Sequence, residues 1–304
     1  MSAFVKAKGM GWAVALAVKN FIRDDGSALA GYMAYTALLA LFPFLIFATA
    51  LCGLLIGTEG VEPVMNFLFN NLPSHVARTI RPVLEEVVRN RSGNVLSLSA
   101  IGAIWIASNG FEALRAGLER AYLVRNYRSW WKNRLISIGF VFLAFIAFVA
   151  LSVLIVFGPS LTALAQEYTG AVEYVEEFLG VNLQIWVTFR YAFGAAILII
   201  FLFLMHHVLP AERPPVPILR GVLVTVVLWM VLASAFSIYF RFVPNYAITY
   251  GTLGGVIATL LFFYVSAAVF IFGAEINAAT WAEADALDEA NKTCLLYTSD
   301  AADE

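Results

Sequence analysis

Hydrophobic and polar positions alternate along this chain on the scale of whole helices. Six long runs are apolar almost throughout, and the charges gather between them. The clearest run, 252–273, has 22 residues without a charge. It spans roughly 33 Å as a helix and so matches the hydrocarbon core of a bilayer. The same pattern predicts spans over 28–56, 95–114, 135–157, 191–209 and 216–240. The expected fold is all-α: a polytopic membrane protein with six transmembrane helices and short amphipathic helices at the interfaces.

The stretches between the runs carry their own signals. Near the N-terminus, Phe4, Val5, Trp12, Val14, Ala15 and Val18 interleave with Lys6, Lys8 and Lys19, which predicts an amphipathic helix lying on the membrane face. No cleavable leader follows from it, because Lys19 and Arg23 stand where a small-residue cleavage site would be. Pro43 sits in the middle of the first span and predicts a kink. Residues 57–94 read as a loop region with short amphipathic patterns over 64–72 and 77–88. The second span appends an amphipathic stretch with Arg115, Glu119 and Arg120. Trp130 and Trp131 then stand among Arg125, Arg128, Lys132 and Arg134, the composition of an interface anchor. Residues 158–188 are acidic, with no lysine or arginine.

Composition sharpens the class. The chain is 61% hydrophobic and 13% charged, with mean hydropathy +0.82, against about 25% charged in soluble domains. A soluble fold of 304 residues has no interior large enough for that much apolar surface. The string Cys294-Leu-Leu-Tyr-Thr-Ser-Asp-Ala-Ala-Asp-Glu304 resembles the translation of a transposase-type sequencing adapter and is expected not to be native. One domain over 1–293 remains, and the native C-terminus is expected beyond about Thr293. Without the tail, 19 basic and 18 acidic residues give a net charge of +1 instead of −2. Cys52 is then alone and reads as a small buried hydrophobe. Placing the N-terminus inside puts thirteen lysines and arginines on the inner face and six on the outer. That asymmetry favours cytoplasmic N- and C-termini.

Four blocks give the chain a family resemblance. They are Ala34-Tyr-Thr-Ala-Leu-Leu-Ala-Leu-Phe-Pro-Phe44, Ala113-Leu-Arg-Ala-Gly-Leu-Glu-Arg-Ala-Tyr122, Arg128-Ser-Trp-Trp-Lys-Asn-Arg134, and Tyr250-Gly-Thr-Leu-Gly-Gly-Val-Ile257 with Gly273-Ala-Glu-Ile-Asn-Ala278. On these the chain resembles the YihY/BrkB family of bacterial inner-membrane proteins, described as virulence or serum-resistance factors. The resemblance implies a multi-pass protein of the bacterial inner membrane and a role in moving lipid or small solutes. Members have also been labelled as a ribonuclease. A zinc-dependent nuclease needs a cluster of histidines and carboxylates. This chain has only His75, His206 and His207, placed on opposite sides of the membrane in the expected topology.

Ionisable residues at membrane depth are the natural functional candidates. Tyr32, Tyr35, Asn109, Glu112, Glu275 and Asn277 all fall in or near the cytoplasmic half, with Arg115, Arg128 and Arg134 just beneath. Two readings follow. In one they line a polar cavity between the first, second and sixth spans, where arginines meet an anionic headgroup. In the other the acids pair with the arginines and fix helix packing. Arg190 reads as a gate residue or an anchor, and His206-His207 as a pH sensor or interfacial polar pair. Gly251, Gly254 and Gly255 read as packing glycines at a close helix approach.

No phosphate loop of the form Gly-x-x-x-x-Gly-Lys-Ser/Thr is present, so the chain brings no ATPase of its own. No nucleophile elbow and no metal-ligand spacing appear, so neither a cofactor nor an enzymatic site is expected. The basic residues flank spans and read as topology signals, not a nucleic-acid face. Membrane lipids are the expected partners, with an anionic or amphipathic substrate, and homo-oligomerisation is left open. The function that fits is transport or gating of a lipid-like or anionic small solute. The alternative is a non-transporting envelope scaffold acting through 57–94 and 158–188.

Overall fold

A computed structural model describes residues 10–71, 93–124, 128–168, 183–211, 218–242 and 252–300. Among them are seven helices and no strand: α1 (Met10–Arg23), α2 (Gly26–Asn71), α3 (Gly93–Ala121), α4 (Trp130–Tyr168), α5 (Leu183–Val208), α6 (Leu219–Phe242) and α7 (Thr252–Asp300). Helices α2 to α7 pack against their chain neighbours in turn, and α7 returns to pack on α2. The six therefore form a closed ring. α1 lies outside it, against α7 and α2.

Five helices among the described residues are long and apolar enough to cross a membrane: Gly26–Ala48, Trp130–Leu151, Arg190–Val208, Leu219–Tyr239 and Gly254–Thr280. Only 17% to 28% of each apolar window is buried inside the protein. Phe142 and Ile146 of α4, Phe193 and Ile200 of α5, and Val227 and Val231 of α6 all point outward. Such a surface suits lipid and no aqueous solvent. The expected second span, 95–114, lies on α3, a helix of 29 residues. It is not one of the five found among the described residues.

Several boundaries differ from the hydropathy reading. α2 continues to Asn71, so 57–71 is helix, not loop; the expected pattern over 77–88 lies outside the described residues. The helix also runs unbroken past Pro43. α4 continues past 157 to Tyr168, and α5 starts at Leu183, ahead of Arg190. α7 passes beyond 273 to Asp300. The helices thus extend past the apolar runs, in α2 and α4 even through Pro63 and Pro159. Hydropathy marks where lipid ends, not where the helix ends.

The ring has a polar end. The α1–α2 junction, the α3–α4 connection, the α5–α6 connection and residues 275–280 of α7 all meet there. α3 finishes with Leu123 in the left-handed region at φ 53°. Val124 N–H donates to Glu119 O at 2.9 Å and Leu123 N–H to Arg120 O at 3.2 Å, which satisfies carbonyls that a helix end leaves open. α1 breaks into α2 at Asp25, also left-handed at φ 54°. Gly26 follows because the Phe21 ring lies where its Cβ would be.

Lipid tails are as apolar as leucine, so burial alone does little to hold helices together in a membrane. Close approach and hydrogen bonds do more. α6 and α7 cross at Gly221 and Gly273: a Cβ at Gly221 would run into the Gly273 carbonyl, and one at Gly273 into the Thr225 hydroxyl. The expected packing glycines were Gly251, Gly254 and Gly255. Gly251 lies outside the described residues, Gly254 is buried and Gly255 is half-buried; the measured tight contact is near the other end of the span.

Candidate functional site

Asn277 stands beside the Gly221–Gly273 crossing. Its Oδ1 accepts the Gly221 N–H at 2.6 Å. Gly221 is in the first turn of α6, where backbone N–H groups have no partner within the helix, so Asn277 caps α6 from a neighbouring helix. That bond fixes the amide, and its Nδ2 donates to Tyr122 Oη at 3.1 Å. Tyr122 Oη in turn lies 2.6 Å from His206 Nδ1. Burial holds the Tyr122 phenol above its ordinary range, so it keeps its proton. The arrangement that leaves fewest groups unsatisfied sends that proton to Nδ1, with the imidazole carrying its own proton on Nε2. His206 is fully buried, and its Nε2 has no partner among the described residues.

A second group decorates one face of α3. Arg115 Nη2 donates to Glu112 Oε2 at 2.7 Å, and Arg115 Nη1 to Glu119 Oε2 at 2.8 Å. The other Glu112 oxygen accepts Ser137 Oγ at 2.6 Å. Glu119 Oε1 accepts the Ala211 N–H at 3.1 Å, tying α3 to the α5–α6 connection. Arg134 donates to Asn109 Oδ1 at 2.8 Å and to Trp105 O at 2.6 Å, while its guanidinium lies 3.9 Å over the Trp105 ring. Arg128 donates to the carbonyls of Val208, Pro210 and Ala211. It closes the C-terminal end of α5, where a cation also complements the helix dipole.

Glu275 belongs to a third group. It is 1% exposed and faces α1, where Asn20 hydrogen-bonds its carboxylate and Arg23 and Asp24 stand nearby. Arg23 Nη2 and Asp24 Oδ2 pair at 2.9 Å. Ala13 and Ala17 are the buried face of α1, and Val14, Val18 and Ile22 form an exposed stripe beside it. The part of the expected amphipathic helix within Met10–Arg23 is helical and docks on the ring through small residues; Phe4, Val5, Lys6 and Lys8 lie outside the described residues.

The eight residues expected around one polar cavity thus divide. Asn109 joins Arg134, Glu112 joins Arg115, and Asn277 and Glu275 take separate partners. Tyr32 and Tyr35 are 52% and 58% exposed on the outer side of α2, and so stand apart from all three groups. A cavity does lie at the centre of the ring, with a volume of about 330 Å³. Met33, Phe111, Ala144, Met205, Trp229 and Phe270 are among its walls, one from each of the six ring helices. Among the described residues its lining is apolar but for the Ser266 hydroxyl and the Trp229 indole, whose N–H is taken by the Ser266 carbonyl, and none of the eight expected residues lines it. Sequence inspection flagged the charges at membrane depth but missed Tyr122, Ser137, Gly221 and Gly273. The spacings Gly221-x-x-x-Thr225 and Gly273-x-x-x-Asn277 were the available signal for the crossing.

A ring of long apolar helices, outward-facing hydrophobics and a polar end define the class: an all-helical, multi-pass membrane protein. The chain belongs to the BrkB virulence factor family, whose model matches residues 17–293. It is 30% identical over 261 residues to the ribonuclease-like protein YfkH of Bacillus subtilis, covering 85% of this chain and 91% of that one. It is 24% identical to a UPF0761 membrane protein of Pseudoalteromonas translucida, covering 86% and 83%. A UPF0761 membrane protein of Coxiella burnetii is also 24% identical, covering 89% and 93%. No solved structure matches. Among the described residues of this chain, no group of three or more histidine, cysteine, aspartate or glutamate side chains is placed to hold a metal ion.

Proposed function

We propose that this protein moves or gates a lipid-like solute across the bacterial inner membrane, with its polar end and both termini in the cytoplasm. The observation that carries this reading is the apolar cavity lined by residues of all six ring helices. An anionic solute gains nothing from such walls, since burying a charge without a partner is costly. Arg23, Arg115, Arg128 and Arg134 are already committed to carboxylates, carbonyls and Asn109, which favours a lipid-like solute over an anionic one. Without an ATPase of its own, the protein would let its substrate run down an existing gradient or a coupled one.

The test is transbilayer movement of a fluorescent phospholipid in reconstituted vesicles, read by quenching of the outer leaflet. The native chain is expected to accelerate exchange between leaflets. Ala37→Phe and Ala144→Phe, which place a ring into the cavity from α2 and α4, should return exchange to the rate of empty vesicles. A native chain that fails to accelerate exchange would sink the proposal and favour an envelope scaffold.

A further inference from the structure

His206 presents a protein donor with nothing to give its hydrogen bond to. The chain from Gly221 N–H through Asn277 and Tyr122 runs in one direction only and leaves the proton on Nε2. Nε2 is fully buried and unpartnered among the described residues, an arrangement that costs free energy unless something fills it. His206 is not itself a wall of the central cavity, but Met205, next to it in sequence, is one, and so is Phe270, whose ring centroid is 4.9 Å from the imidazole. Phe270 thus touches both the imidazole and the apolar space.

We propose that the cavity and His206 form one binding site for an uncharged acyl ester. The hydrocarbon chain occupies the space within the ring, and the ester carbonyl accepts from His206 Nε2–H once Phe270 turns aside. Each part of the ligand answers one feature. The walls take hydrocarbon, because the described lining is almost wholly apolar. The far end takes a single acceptor, because a single donor waits there. A carboxylate is disfavoured, because no cation lines the cavity to compensate it. The hydrocarbon phase surrounding the ring is where such esters reside. The site rests on the proposed lipid-like substrate and names the part of it that the protein holds.

The test uses the full chain in lipid nanodiscs and a diazirine-tagged analogue of methyl dodecanoate as photoprobe. Methyl dodecanoate, dodecane and dodecanoate serve as competitors. Crosslinks are expected on the cavity-lining residues of α5 and α7, and Ala37→Phe should abolish them. Methyl dodecanoate should compete about three- to tenfold better than dodecane, the effect of one net hydrogen bond, and dodecanoate should compete worse than the ester. His206→Phe should erase the preference for ester over alkane while leaving alkane competition intact. Tyr122→Phe, a milder change that removes only the hydroxyl fixing the imidazole proton, should weaken the same preference. Crosslinks outside the cavity, or a native protein that treats ester and alkane alike, would overturn the site, and the latter comparison needs no variant. Ester binding without phospholipid exchange would keep the site and discard transport. Exchange without ester binding would do the reverse.

Discussion

Gly273 shows how much one missing side chain determines. Its backbone meets α6 so closely that a methyl group would strike Thr225 and the Gly221 carbonyl. Gly273→Ala and Gly221→Ala are each expected to destabilise the protein by about 1–3 kcal/mol, the cost of forcing extra volume into a packed contact. Gly139→Ala is the control: nothing lies within 4 Å of a Cβ there, and the change should be neutral or stabilise by about 0.5–1 kcal/mol. Thermal unfolding in detergent ranks the three. Asn277→Ala leaves the Gly221 N–H and the Tyr122 hydroxyl oxygen each without a partner, and should cost about 1–3 kcal/mol in the same assay. Sequence made Glu275 and Asn277 conspicuous, because a carboxylate and an amide at the edge of an apolar run need partners. It did not say which partners. Gly221 is 56 positions away and Tyr122 is 155, and no local pattern spans such a distance. His206 was visible as a candidate, but its burial came from the helices that surround it.

At the scale of elements, hydropathy located every ring helix and misplaced most of their ends. The spans were legible because lipid demands an uninterrupted apolar run, and only a helix satisfies its own backbone there. The ends were not, because outside the lipid a helix stops where its capping chemistry says so. The α3–α4 connection is the instructive case. Arg128 looked like one more positive charge beside the membrane, yet it gathers three carbonyls at the end of α5. Arg128→Ala is expected to loosen that end. Hydrogen exchange of residues 205–211 should accelerate several-fold, while the middle of α5 stays protected. Unchanged exchange there would mean the last turn of α5 is held by its own packing.

At the scale of the whole molecule, the three junctions that meet at the polar end predict a common side of the membrane. Single cysteines introduced at Asp25, Lys132 and Arg220, with the natural cysteines replaced, should all react with an impermeant reagent from the cytoplasmic face and none from the other. Split labelling would break the ring topology. The cavity could not have been read from sequence. Its walls are alanines, phenylalanines and methionines, indistinguishable in type from the residues that face lipid, and only the closing of the ring separates inside from outside. That closure has a consequence for synthesis. The seam joins α2 to α7, the first and last helices of the ring, across some two hundred residues of chain. Until α7 is made, the face of α2 that will meet it has no partner within the ring. The ring becomes a vessel only when its last stave arrives, so assembly is postponed until translation is nearly complete.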